Sequence, residues 1–104
     1  MNSEEQKKIY KNWVLSKCIG TAFSEERVRQ DAFNSASAYL ELSRLPIESL
    51  TAAEPLIKQF LARDYRGSIP GSFQTKACLD LFYSNELETL CREKIGKNFL
   101  GKKN

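Results

Sequence analysis

No histidine occurs in the 104 residues. A Cys–His or Ser–His nucleophilic site therefore cannot be assembled, and the most common general base is missing. The three cysteines, Cys18, Cys78 and Cys91, fit no zinc spacing and have no histidine to complete one, so no metal site and no cofactor is expected. Long apolar runs are absent as well: nothing approaches the roughly 18 consecutive residues of a membrane span, and "MNSEEQKKIYKN" has no apolar signal-peptide core. The 16 basic and 13 acidic residues are scattered, with no basic run longer than Lys7/Lys8 and Lys102/Lys103, so the net charge of +3 makes no nucleic-acid stripe. Strand-like alternation is missing too. "GSIPG" is followed by no lysine and preceded by no strand, which excludes a phosphate-binding loop. Asp31, Glu41, Glu48 and Asp80 single out no acid–base pair and read as solvated helix positions.

What is present is helical periodicity throughout. At this length the chain builds one modest core, and residues 5–96 are expected to form a single helical domain with flexible termini at 1–4 and 97–104. A first helix over 5–23 places Val14, Leu15, Cys18, Ile19 and Ala22 on one face, with Ile9, Tyr10 and Trp13 adding apolar area and Gly20 on the opposite side. Ser24 is placed to cap a second helix reaching about residue 43, with Val28, Ala32, Phe33, Ala36, Tyr39 and Leu40 inward. "RLP" at 44–46 breaks the pattern. In the third helix Ala53, Leu56, Ile57, Phe60 and Leu61 face inward, and Thr51 and Glu54 stand at capping-box spacing. Pro55 requires that helix either to begin near Glu54 or to start at Ile47 and bend. Thr75 is expected to cap a short helix carrying Cys78, Leu81 and Phe82, and Ser84 or Asn85 a last one carrying Leu87, Leu90, Cys91 and Ile95. The expected fold is all-α, a compact bundle of about five helices.

The segment "RDYRGSIPGSFQT" stands outside this pattern, as a protruding loop between the third and fourth main helices. Gly67 and Gly71 permit unusual backbone angles, Pro70 stiffens the turn, and Tyr65, Ile69 and Phe73 bring apolar area into a connection. An ordinary connection, with Phe73 and Tyr65 tucked onto the bundle, accounts for part of this. A stiff loop with apolar tips is also a recurrent way to enter a partner's cleft. The cysteines have two readings of their own: small core residues in a reducing compartment, or one disulfide with one thiol left over in an oxidising one.

"YKNWVLSKCI" at 10–19, "DAFNSASAYLE" at 31–41, "FLARDYRGSIPGSF" at 60–73 and "KACLDLFYSNEL" at 76–87 together resemble the fourth family of type VI secretion amidase immunity proteins. The resemblance runs over about residues 10–90. It implies a non-enzymatic periplasmic protein, made with a signal peptide whose place Met1 takes here, that protects the cell from a papain-like cysteine amidase. That toxin cuts the peptidoglycan stem between D-glutamate and diaminopimelate. The resemblance further implies a homodimer that forms a heterotetramer with the effector, with no nucleic-acid or membrane partner. The toxin-binding loop would be Asp64, Tyr65, Arg66, Gly67, Ser68, Ile69, Pro70, Gly71, Ser72 and Phe73, entering the catalytic groove with Ile69 at its tip and Phe73 bracing it. A helix within residues 47–63 of the other subunit would add contacts. An oxidising location then implies a disulfide between Cys18 and Cys78, with Cys91 the departure, able to compete for Cys78. The competing class is a cytosolic helical adaptor or weak nucleic-acid-binding module with reduced cysteines and a plain connecting loop.

Overall fold

A computed structural model describes residues 2–65 and 67–96. The expectation of a loose tail at 97–104 lies outside these residues. Six helical segments follow one another: α1 Ser3–Ala22, α2 Glu26–Leu42, α3 Ile47–Thr51, α4 Glu54–Leu61, α5 Gln74–Phe82 and α6 Asn85–Ile95. No strand occurs among the described residues.

The first helix is the centre of the assembly, with α2, α3, α4, α5 and α6 all packed against it. Its burial is accordingly spread around the cylinder, through Gln6, Ile9, Tyr10, Trp13, Val14, Cys18 and Gly20. It starts at Ser3 rather than Glu5 because the Asn2 side chain accepts the Glu5 N–H at 2.8 Å. Residues 2–4 thus belong to a capped first turn and not to a loose terminus. Gly20, expected on the outer side, is buried: a Cβ there would come within 2.5 Å of the Phe33 ring of α2. The small residue is what allows α1 and α2 to approach this closely.

The second helix packs chiefly on α1 and fully buries only Ala32 and Ala36. A helix covered by one neighbour buries a narrow stripe, so Val28, expected inward, remains 38% exposed. Ser24 does not cap it. Glu25 occupies that position without a side-chain bond, because the chain leaves α1 extended at Phe23 and closes the hairpin in three residues.

Both readings of the third helix describe part of what forms. A helix begins at Ile47, stops at Thr51, and a new one begins at Glu54. Pro55 falls in the first turn of α4, where its missing N–H has no helical partner to lose. The Thr51–Glu54 capping box does not form, since the Thr51 hydroxyl turns back toward the Glu48 carbonyl at 3.4 Å. Two polar groups of α1 hold this region. The buried Tyr10 hydroxyl donates to the Ser49 carbonyl at 2.7 Å, and the Gln6 side-chain oxygen accepts the Arg44 N–H at 2.7 Å. Burial pushes the Tyr10 phenol well above its ordinary value, so it remains a donor.

Thr75 lies inside α5 rather than capping it; Phe73 occupies the cap position. At α6 the Ser84 hydroxyl accepts the Leu87 N–H at 3.0 Å and donates to the Leu81 carbonyl at 2.8 Å, closing the corner between the last two helices. Cys18 of α1 and Cys78 of α5 are joined by a disulfide across 60 residues of sequence, their Cα atoms 5.7 Å apart, and both are fully buried. Cys91 is a buried free thiol, pushed up to about 11 chiefly by burial, and is therefore protonated and unreactive at neutral pH.

Two outcomes follow for stability. Cys18→Ala/Cys78→Ala should lose about 4 kcal/mol on the chain-entropy scale for a loop of this size, read in urea unfolding as a lower midpoint with a steeper slope, because the denatured chain without the cross-link exposes more surface. Gly20→Ala should cost about 1–3 kcal/mol by driving the Phe33 ring off α1, in the same measurement.

Candidate functional site

The loop between α4 and α5 leaves and re-enters the bundle at two tied ends. At the first, the Arg63 N–H closes onto the Phe60 carbonyl at 3.2 Å, while the Arg63 guanidinium lies 3.6 Å from the Phe60 ring centroid and 3.6 Å from the Glu86 carboxylate of α6. At the second end the Ala77 N–H bonds to the Phe73 carbonyl at 3.0 Å, and the Gln74 amide reaches the Ala22 carbonyl at the end of α1 at 3.5 Å. Five residues beyond Phe73, the Cys18–Cys78 bond fixes α5 to the core.

Between these ends the chain turns outward. Asp64, Gly67, Ser68, Pro70, Gly71 and Ser72 are exposed, and Ile69 is 71% exposed at the tip. Gly71 has φ +128°, a backbone angle that a side chain disfavours, and a Cβ there would meet nothing within 4 Å. Its requirement is therefore conformational. Gly67 is needed for space: a Cβ would sit 3.1 Å from the Phe73 ring, so Phe73, half-buried, covers the ascending limb of its own loop. Arg66 lies outside the described residues.

Tyr65 is half-buried on the outer side of α5. The Lys76 ammonium lies 5.0 Å from its ring centroid and bonds at 2.8 Å to the Asp80 carboxylate one turn on. The Tyr65 hydroxyl is buried beside this pair but closes no hydrogen bond of good geometry. The Lys76 bond, helped by Tyr65 and by the Arg63 charge, holds the Asp80 carboxyl below its usual range, and Lys76 is raised in return. Sequence periodicity placed Asp80 among solvated carboxylates and carried no sign of this cluster.

The rest of the surface offers little chemistry. A cleft of about 220 Å³ between α1 and α4 is lined by Lys17, Thr21, Glu54, Ile57 and Lys58, and the Lys17–Glu54 pair at 3.8 Å spans it. Among the described residues no group of His, Cys, Asp and Glu is arranged to hold a metal ion, and no helix is long and apolar enough to cross a membrane.

A disulfide-tied helical scaffold that presents a stiff, apolar-tipped loop has the build of a protein-binding module. The family model for Tai4, the type VI secretion system amidase immunity protein, matches residues 8–91. The chain belongs to this family. It is similar, at 34% identity, to the immunity protein Tai4 from Enterobacter cloacae in complex with the effector Tae4 from Salmonella typhimurium, with a TM-score of 0.75 over 83% of this chain and 89% of that one. The Tae4–Tai4 complex from Enterobacter cloacae matches at 34% identity and TM-score 0.74, covering 83% of this chain and 88% of that one. The Tae4/Tai4 structure from Salmonella typhimurium matches at 33% identity and TM-score 0.79, covering 84% and 86%. No curated protein matches.

For the cluster at the loop root, Lys76→Met should raise the Asp80 pKa back toward 3.8. Carboxyl-carbon NMR titration of the two proteins reads this directly, and an unchanged Asp80 midpoint would remove Lys76 as the cause.

Proposed function

We propose that this chain protects its cell by plugging the catalytic groove of a peptidoglycan amidase with residues 64–73. As a member of the Tai4 family, the chain is an amidase immunity protein. The observation that carries the loop reading is the exposed Ile69 tip, held between two tied ends on a family scaffold whose relatives are found in complex with the effector Tae4.

The physical logic is that of a substrate mimic without a scissile bond. A groove that accepts an extended peptide accepts an extended loop equally well. Pro70 limits the entropy lost on docking, and Gly71 supplies the turn that brings the chain back out. Ile69 offers the apolar anchor, and Ser68 with Arg66 supplies donors for the polar edge of the groove. Inhibition by occlusion requires no chemistry of the inhibitor's own, which agrees with a histidine-free chain and a non-enzymatic role.

The amidase substrate lies in the periplasm, and an oxidising compartment suits the buried Cys18–Cys78 bond, so we place the protein there. Residues 5–96 act as one immunity domain. A homodimer has surface available outside the loop, where Val28, Leu42 and Ile47 are exposed apolar side chains on α2 and α3, and binding of one effector per subunit gives a heterotetramer.

Replacing Ile69, Pro70 and Gly71 with a short serine linker should leave the helical circular dichroism and the melt intact and abolish inhibition of the amidase in a muropeptide-cleavage assay. Retained nanomolar inhibition would remove the loop as the plug.

A further inference from the structure

The loop has no regular secondary structure of its own, yet two aromatic side chains fold back from it onto specific partners. Phe73 lies on Gly67, closing the loop upon itself. Tyr65 leaves the other limb and lies on the outer face of α5, where Lys76 is 5.0 Å from its ring centroid and bonds to Asp80 at 2.8 Å. That face belongs to the helix anchored through Cys78.

We propose that Tyr65 is a positioning residue for inhibition: its ring, held under Lys76 on α5, and Phe73 on Gly67 together fix the loop in its docking conformation before the amidase arrives. This deepens the loop reading and rests on it. The buried Tyr65 hydroxyl lies near enough to Asp80 to favour its carboxylate but closes no hydrogen bond of good geometry, so the ring, through its contact with the cation and its apolar burial, supplies the hold. Tyr65 then acts through Ile69 and its neighbours, and does not itself need to touch the amidase.

Pre-organisation has a kinetic signature distinct from that of a contact. When only a fraction of molecules is competent to bind, the apparent affinity falls by that fraction. If the loop samples its conformations before docking, the loss appears in the association rate, whereas a lost contact speeds dissociation. In the free protein, Tyr65→Ala should lower the backbone amide NMR order parameters of residues 67–69, 71 and 72 to below about 0.6, while those of α1 and the melting temperature stay in place. With Tae4 from Salmonella typhimurium as the probe, the same variant should bind with an association rate lowered about tenfold and a dissociation rate within about twofold of the parent. Tyr65→Phe, which keeps the ring, should restore both the loop order parameters and the association rate.

Unchanged loop order parameters in Tyr65→Ala overturn the proposal whether or not the probe binds. So does a loss confined to the dissociation rate, which would make Tyr65 a contact, or a failure of Tyr65→Phe to restore what Tyr65→Ala removes. The Ile69–Gly71 replacement keeps Tyr65 and its partners, so failure of the plug reading appears there separately, as inhibition that survives without the tip.

Discussion

The contact between α1 and α5 at Cys18 and Cys78 is the constraint on which the loop depends. The α5 helix has nine residues, too few to hold itself together in water, and α1 is the element around which every other helix packs. A covalent bond between them makes the middle of α5 part of the core. The cap residue of α5 is Phe73, the last residue of the loop, so rigidity at Cys78 is passed to the loop within about one and a half helical turns. Without this bond the loop would end on a short helix free to fray, and its exposed tip would have no defined direction.

A consistent economy runs through the rest of the molecule. Buried polar groups of α1 are bonded to backbone groups of the α2–α3 connection and of α3, as with Gln6 to Arg44 and Tyr10 to Ser49. Irregular backbone beside the core is thereby kept satisfied. The ion pairs at the surface do less. Lys7–Glu88 and Arg63–Glu86 are partly exposed and solvent-screened, and contribute little stability. The same division applies to the glycines: Gly71 serves a backbone angle, whereas Gly20 and Gly67 serve close approach of an aromatic ring.

The resemblance read from four sequence segments and the family match over residues 8–91 agree on the immunity family, and helical periodicity alone carried the fold class. Local chemistry was legible where it was self-contained. Ser84 caps α6 because its hydroxyl reaches Leu87 within its own turn. Where a neighbour competes, local rules failed. Thr75 lost the cap of α5 to Phe73 because the Gln74 amide is drawn to the end of α1, and that contact begins the helix two residues earlier. The helical period places Val28 in the interior, but among the described residues it remains exposed on α2. Gly20 was assigned to the outside because glycine has no hydrophobic signal, and its burial is caused by a ring 13 residues away on the next helix.

By itself the sequence determined what this protein can be: helical from its 3.6-residue period, lacking histidine and so any site built on it, and carrying after its third helix a loop whose Gly, Pro and apolar residues stand outside the helical pattern. Those properties are local and composition-bound, so they survive without knowledge of contacts. Tertiary structure decided how that loop is held. The position of Cys78 against Cys18, of Tyr65 under Lys76, and of Phe73 on Gly67 joins residues through space. No periodicity encodes such pairings, because they depend on how the helices are wrapped around α1 and on which faces that wrapping leaves open.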